Sequence, residues 1–247
     1  MEPLAELVKI IKNSRSMVFF GGAGVSTESG IPDFRSENGL YSAKNEFGYE
    51  PEDILSRGFL ANHPKEFFSY YKKHVVYADA KPNDAHLGLA QLESAGILSA
   101  VITQNIDGLH QAAGSRSVVE LHGSIHRNTC IKCGRKFCLE YVCSSEDVIP
   151  YCDICGGIVR PDIVLYNELL GGEVLPKAIE YLQKADTLIV AGTSLSVYPA
   201  ARLVRYFYGS KLVVINRSKT EIDKCASLVI SSPVGEVFNK IMKETAE

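Results

Sequence analysis

The sequence predicts an α/β protein: a doubly wound parallel sheet with a small second lobe inserted into it. Four short apolar runs rich in β-branched residues carry the sheet. Residues 16–20 lead into GGAG, 100–103 into QNIDGLH, 187–191 into GTS and 212–215 into NRS. Continuous runs of this length read as strands buried on both faces. Amphipathic stretches at 83–95, 174–185 and 199–208 lie between them. That alternation builds a sheet with helices on both sides. Finally, two stretches break the pattern and read as inserts that pack together. Residues 36–80 are rich in aromatic and charged side chains, and residues 124–160 hold six of the seven cysteines.

Local signals support each element. Leu4, Leu7, Val8 and Ile11 form one apolar stripe, as do Val234, Val237, Phe238 and Ile241, so a helix is expected at each end of the chain. Gly96 suits the position after a helix, and Pro199 suits a first helical turn. The expected organisation is a main domain from 1–35, 81–123 and 161–247. A helical insert with a cofactor-binding loop spans 36–80, and a metal-ribbon insert spans 124–160.

Composition excludes several classes. The 247 residues are 46% hydrophobic and 22% charged, which is globular rather than disordered. A net charge of −3 leaves no basic footprint, so neither a specific nucleic acid nor a membrane is an expected partner. No apolar run reaches the ~20 residues needed to span a bilayer. The acidic, alternating start is not a signal peptide. A cytoplasmic protein is therefore expected, with a monomer favoured.

The cysteines explain themselves through spacing. Cys130-x2-Cys133 and Cys152-x2-Cys155 are separated by 18 residues, and Gly134 and Gly156 follow the second cysteine of each pair. Two such knuckles place four thiolates around one Zn2+. Four thiolates close the coordination sphere, so a structural ion is expected. Cys138, Cys143 and Cys225 read as ordinary small side chains or free thiols.

Candidate ligand-binding residues fall at the strand ends, where open α/β sheets collect their ligands. Gly22, Ala23 and Gly24 follow the first strand, and 25–30 leads on into what should be a helix whose N-terminus favours phosphate. The dinucleotide fingerprint is half met, because Thr27 holds its third glycine position and no acid follows a second strand about 20 residues on. Taken alone, this turn fits a tight structural bend as well as a cofactor site. The continuation 30–35 presents Asp33, Phe34 and Arg35 together. Gln104, Asn105, Ile106 and Asp107 close the second strand, where buried polar groups are costly without partners. His122 stands just before the metal insert; a lone histidine is usually structural, but this junction suits a general base. Gly192, Thr193 and Ser194, then Asn216, Arg217 and Ser218, end two later strands. The former cluster offers hydroxyls and N–H groups to phosphate or ribose, the latter an amide to ribose or adenine. Ser194 or Ser218 could equally start a helix or turn.

GAGVSTESGIPDFRS, TQNIDGLH, the His-Gly pair, the two CxxC knuckles, GTSLSVYPA and the late Ile-Asn pair follow one another in the order and spacing of the sirtuins. The chain resembles that family from about residue 15 to 240, and most resembles its bacterial and archaeal deacetylase-type members. The resemblance implies a Rossmann-like domain with a zinc-ribbon and helical lobe. It implies NAD+ as a co-substrate, an acylated lysine of a protein as partner, and one structural Zn2+. Ala23, Gly24, Thr27, Thr193, Ser194, Asn216, Arg217 and Val234 would surround phosphates and adenosine. Phe34, Arg35, Ile106 and Asp107 would line the nicotinamide side. Gln104 and Asn105 would hold ribose and an ordered water, with Asn105 and His122 as the catalytic pair. The acyl oxygen would attack the ribose as nicotinamide leaves, and His122 would then activate the ribose hydroxyls. Free lysine and 2′-O-acyl-ADP-ribose would result. The peptide would add a strand against Val164, Tyr166, Asn167, Leu195 and Ser196.

Departures from the family pattern are Asn167 for a usual glycine and Tyr41 for a frequent tryptophan. Asparagine can adopt a left-handed backbone, which would preserve the loop. Tyr70 and Lys73 are the nearest counterparts of a Tyr/Arg pair that selects acidic acyl groups. Lysine lacks the arginine fork, which argues against a dedicated desuccinylase. Two other readings stand beside deacylation: a mono-ADP-ribosyltransferase using the same pocket, and a non-catalytic NAD-sensing module.

Overall fold

The computed structural model describes residues 2–33 and 48–245. Phe34, Arg35 and Tyr41 therefore lie outside the described residues. Nine strands are seen among those described: β1 Met17–Gly21, β2 Leu98–Thr103, β3 Val118–Glu120, β4 Gly123–Cys130, β5 Lys136–Phe137, β6 Val159–Ile163, β7 Thr187–Ala191, β8 Lys211–Ile215 and β9 Leu228–Ile230. Six form one sheet in the order β3-β2-β1-β7-β8-β9, and every neighbouring pair is parallel. The expected doubly wound sheet is present. Its order reverses between β1 and β7, which opens a crevice beyond the ends of those two strands.

The pleat of β1 shows why the apolar runs are continuous. Met17 and Phe19 enter one core with the helices α1 (Pro3–Asn13), α5 (Asp84–Ser94) and α9 (Val234–Thr245). Val18 and Phe20 enter a second core with α8 (Val174–Lys184) and the turn Ala200–Tyr206. All four side chains are fully buried, so no position on β1 tolerates polarity. The stripes expected on the terminal helices are the faces that pack here.

Helix α5 begins where Asn83 accepts from the backbone N–H of Ala85 and ends before Gly96, whose φ is +74°. The expected helix at 199–208 is a 3-10 helix, Ala200–Tyr206, and Pro199 precedes it. Ala200 and Leu203 both reach the core, and a spacing of three matches three residues per turn.

A second sheet, β5-β4-β6, is antiparallel. Short helices α2 Pro51–Ile54, α3 Arg57–Asn62 and α4 Pro64–Tyr70 precede it in the chain, and α7 Leu139–Cys143 lies between β5 and β6. Ile54, Phe67, Phe68 and Tyr71 share one buried cluster with Val142, Val159 and Ile163. The two inserts thus make one core. Strand β6 crosses the 160/161 boundary read from sequence, because its alternating residues complete this sheet. Among the described residues no helix is long and apolar enough to cross a membrane.

Two fully buried imidazoles, His86 on α5 and His110 on α6 (Leu109–Ala112), lie with ring centroids 4.7 Å apart. Burial pushes His86 down to about 4 and His110 well below the ordinary value of 6.5. The folded protein therefore holds both rings neutral, whereas the unfolded chain protonates them near 6.5. Their contribution is fully present above pH 6.5 and is lost as pH falls through the window from 6.5 to about 4. Thermal unfolding should show a falling Tm across that window, with a shallower slope in His110→Phe. A flat profile there would contradict this assignment.

Candidate active site

Two glycine loops meet at the crevice. The Gly24 N–H donates to the Gly192 carbonyl at 2.8 Å, and the Gly22 N–H donates to the Ala191 carbonyl at 3.2 Å. A methyl group on Gly24 would stand 2.8 Å from the Gly192 Cα, and one on Gly192, whose φ is +59°, would stand 2.5 Å from the Val25 nitrogen. Backbone must lie against backbone here. Gly24→Ala is expected to cost about 1–3 kcal/mol through overpacking, read by thermal unfolding. A variant with the parental Tm would show that the loops separate freely.

Among the described residues up to 33, no α-helix follows this turn. Two 3-10 turns, Ala23–Val25 and Thr27–Ser29, end at Gly30 with φ +83°. Local and distant acceptors take the hydroxyls instead: Thr27 Oγ1 donates to the Gly24 carbonyl at 3.1 Å, and Ser26 Oγ donates to Asp107 Oδ2 at 2.7 Å. Phosphate attraction by a helix dipole therefore has no basis at this loop.

Ser26 is the residue that sequence reasoning passed over. Its hydroxyl also accepts from Asn105 Nδ2 at 3.0 Å, while Asp107 Oδ1 accepts the Leu109 N–H at 2.9 Å. Asn105 and Asp107 are thus fixed from the opposite loop. Gln104 Nε2 donates to Thr193 Oγ1 at 3.1 Å. The Thr193 N–H donates to Asn216 Oδ1, and Asn216 Nδ2 returns to the Thr193 carbonyl, at 3.0 and 3.1 Å. This reciprocal pair uses one donor and one acceptor of the Asn216 amide, so that side chain is chiefly a brace between β7 and β8.

His122 follows β3, and its Nδ1 lies 2.8 Å from the Gln104 carbonyl oxygen. A carbonyl only accepts, so Nδ1 carries the proton and Nε2 keeps its lone pair. Burial lowers its pKa from the ordinary histidine value, with the Gln104 contact opposing that shift. The ring is a neutral base near pH 7.

A cavity of about 520 Å3 brings these groups together. Its wall includes Ala23, Gly24, Thr27, Asp33, Gln104, Asn105, Ile106, Asp107, His122, Gly192, Thr193, Ser194, Asn216, Arg217 and Val234. Ser26, His74, Val75 and Tyr77 line it as well. Gly22 does not; it packs beneath Thr193. Tyr70 and Lys73 are also absent from the wall, and Tyr70 is buried in the insert core. A π turn, Tyr71–Val75, carries the chain to the lining residues His74 and Val75 instead.

Val164, Tyr166 and Asn167 line the cavity, whereas Leu195 and Ser196 do not. Asn167 has φ +67°, the left-handed conformation expected of it. The Val164 N–H donates to the His122 carbonyl and the Tyr166 N–H to the Leu55 carbonyl. The Leu165 N–H between them donates to Glu168 Oε2 at 2.9 Å, so all three of these donors are engaged within the chain.

The four cysteines converge away from this cavity. Their sulfurs all lie within 4.8 Å of one another, with Cys130–Cys155 at 3.4 Å and Cys133–Cys152 at 3.7 Å. Zn–S bonds of about 2.3 Å in a tetrahedron place sulfurs about 3.8 Å apart, so the cluster fits one Zn2+. Gly134 and Gly156 turn the knuckles at φ +76° and +67°. Their N–H groups donate back to the carbonyls of Cys130 and Cys152. None of the four lines the cavity, so an ion held there would be structural. Cys138, Cys143 and Cys225 are free and exposed.

The Sir2 family model matches residues 22–199, from the glycine turn to the end of the GTSLSVYP segment. The chain belongs to the Sir2 family. An NAD-dependent protein deacetylase of Clostridium acetobutylicum is 57% identical over 242 residues, covering 98% of this chain and 99% of that one. One from Clostridium tetani is 52% identical over 244 residues, covering 99% of each. Among solved structures, a Sir2 histidine-to-tyrosine mutant with a p53 peptide and NAD superposes with a TM-score of 0.87 at 38% identity. A histidine-to-alanine mutant with a deacetylated p53 peptide and 3′-O-acetyl ADP ribose gives 0.87 at 40%. Both cover 98% of each chain. This Sir2 chain thus has the expected family, and its sheet and four-cysteine lobe have the expected fold.

Proposed function

We propose that this Sir2 protein is an NAD-dependent protein-lysine deacetylase, with the acylated lysine of a protein as substrate and NAD+ consumed. The observation that carries the reading is His122. Its Nδ1 is held by the Gln104 carbonyl, and the ring joins the same cavity wall as the Ser26–Asn105–Asp107 network. NAD+ would supply a ribose carbon that loses nicotinamide and hydroxyls that receive the acyl group.

The chain's own groups divide the remaining work. Asp107, set by Ser26 and the Leu109 N–H, orients the nicotinamide carboxamide beside Ile106 and Asp33. Gln104 and Asn105 hold the ribose, and His122 Nε2 takes the proton of its hydroxyl. Ala23, Gly24, Thr27, Gly192, Thr193 and Ser194 border the phosphates, while Asn216, Arg217 and Val234 border the adenosine. Gly22 supports the turn from behind. Phe34 and Arg35 complete the nicotinamide side in this reading. The peptide lies between the 164–167 segment, which meets the acyl-lysine at the cavity wall, and Leu195–Ser196, which lie off that wall and flank the peptide backbone. Residues 1–35, 81–123 and 161–247 act as the cofactor-binding domain, 36–80 as the helical insert and 124–160 as the zinc ribbon. The enzyme is placed in the cytoplasm in this reading, with a monomer favoured over larger assemblies.

The test is incubation with NAD+ and acetylated, succinylated or plain peptide, following nicotinamide and product masses. Acyl-dependent nicotinamide release with an acylated ADP-ribose product is the expected outcome. Label passing to a protein without an acyl group would favour ADP-ribosyl transfer, and no turnover would sink both enzyme readings.

A further inference from the structure

A carboxylate outside the reacting network joins two walls of the cavity. Glu28 follows Thr27 in the second 3-10 turn, and its Oε2 accepts the Gly235 N–H at 2.6 Å. Gly235 is the second residue of α9, whose first N–H groups have no partner within the helix. The positive end of a helix favours a carboxylate there. The whole carboxylate lies close against Gly235: a methyl there would stand 2.7 Å from Oε2 and 2.8 Å from both Cδ and Oε1. The glycine is what admits the carboxylate. On one side of this contact Ser26 and Thr27 line the cavity, and on the other Ser232, Pro233 and Val234 line it.

We propose that Glu28 is a positioning residue for the nucleotide. Its carboxylate clamps the start of α9 to the glycine loop and sets the spacing between the loop wall and the adenosine wall. The inference rests on the reading that this cavity takes NAD+, and goes beyond it by assigning nucleotide affinity to a side chain that does not line the cavity. The acyl-peptide side of the cavity is built from other segments, so its affinity should not respond.

Calorimetry with ADP-ribose, and separately with an acetyl-lysine peptide, tests this on the full chain. Glu28→Ala should weaken ADP-ribose about fivefold and Glu28→Gln by less, because its amide oxygen still accepts. Peptide affinity should stay at the parental value in both. Gly235→Ala should reproduce Glu28→Ala, since the methyl displaces the carboxylate. In the Glu28→Ala background the same methyl should add no loss and should raise Tm, alanine being the better helix residue. Parental ADP-ribose affinity in Glu28→Ala would overturn the proposal. So would equal weakening of both ligands, or Gly235→Ala losses that simply add to those of Glu28→Ala. Absence of ADP-ribose binding by the parent protein would sink the cofactor reading and the clamp together.

Discussion

His122→Ala should reduce acyl-dependent nicotinamide turnover by roughly 10²–10⁴-fold, the range expected for loss of a positioned base. The variant should still bind ADP-ribose, because the contacts that brace the nucleotide side run through Thr193, Asn216 and the crossed glycine loops. Loss of rate with binding retained separates a missing base from a collapsed site. The pH profile adds a second check. Activity requires the neutral ring, and burial places its pKa below 6.5. Activity should therefore be full above pH 6.5 and fall only as pH drops through a value lower than that. An acid limb centred above 6.5, or an unchanged rate in His122→Ala, would remove this residue from the base role.

Loss of zinc should have an effect of similar size with a different character. Freshly purified protein should carry close to one equivalent, and less than about half would count against the site. Structural zinc sites contribute apparent binding energies of about 10–16 kcal/mol near pH 7, which far exceeds the net stability of a domain. Cys152→Ser should therefore lose the metal and unfold the lobe, seen as lost zinc by metal analysis and an earlier melting transition. Turnover should fall too, although no cysteine touches the cavity. The link is packing: Cys130 and Cys152 share a buried cluster with Ile125, Ile163 and Leu165, and those three residues line the cavity. Full activity in a zinc-free variant would break that link.

Several features were legible in the residues alone because they depend on local pattern. Burial on both faces makes β1, β2, β7 and β8 continuous apolar runs. The terminal helices announce themselves by their stripes. Four thiolates at knuckle spacing identify a metal whatever surrounds them. Strands β3 and β9 were missed because three residues give too short a pattern, and they form only because β2 and β8 already present open edges.

What the sequence determined by itself was the doubly wound sheet, the zinc cluster and the strand-end groups, with His122 at the junction between them. Only the tertiary structure decided how those groups act. Ser26 meets Asp107 across 81 residues, and His122 finds the Gln104 carbonyl that fixes its proton. The same holds for His74 and Tyr77 on the wall in place of Tyr70 and Lys73, and for 3-10 turns where a helix was expected. Periodicity records which residues avoid water. The direction of a hydroxyl, a ring nitrogen or a carboxylate is set by whichever distant loop packs against it.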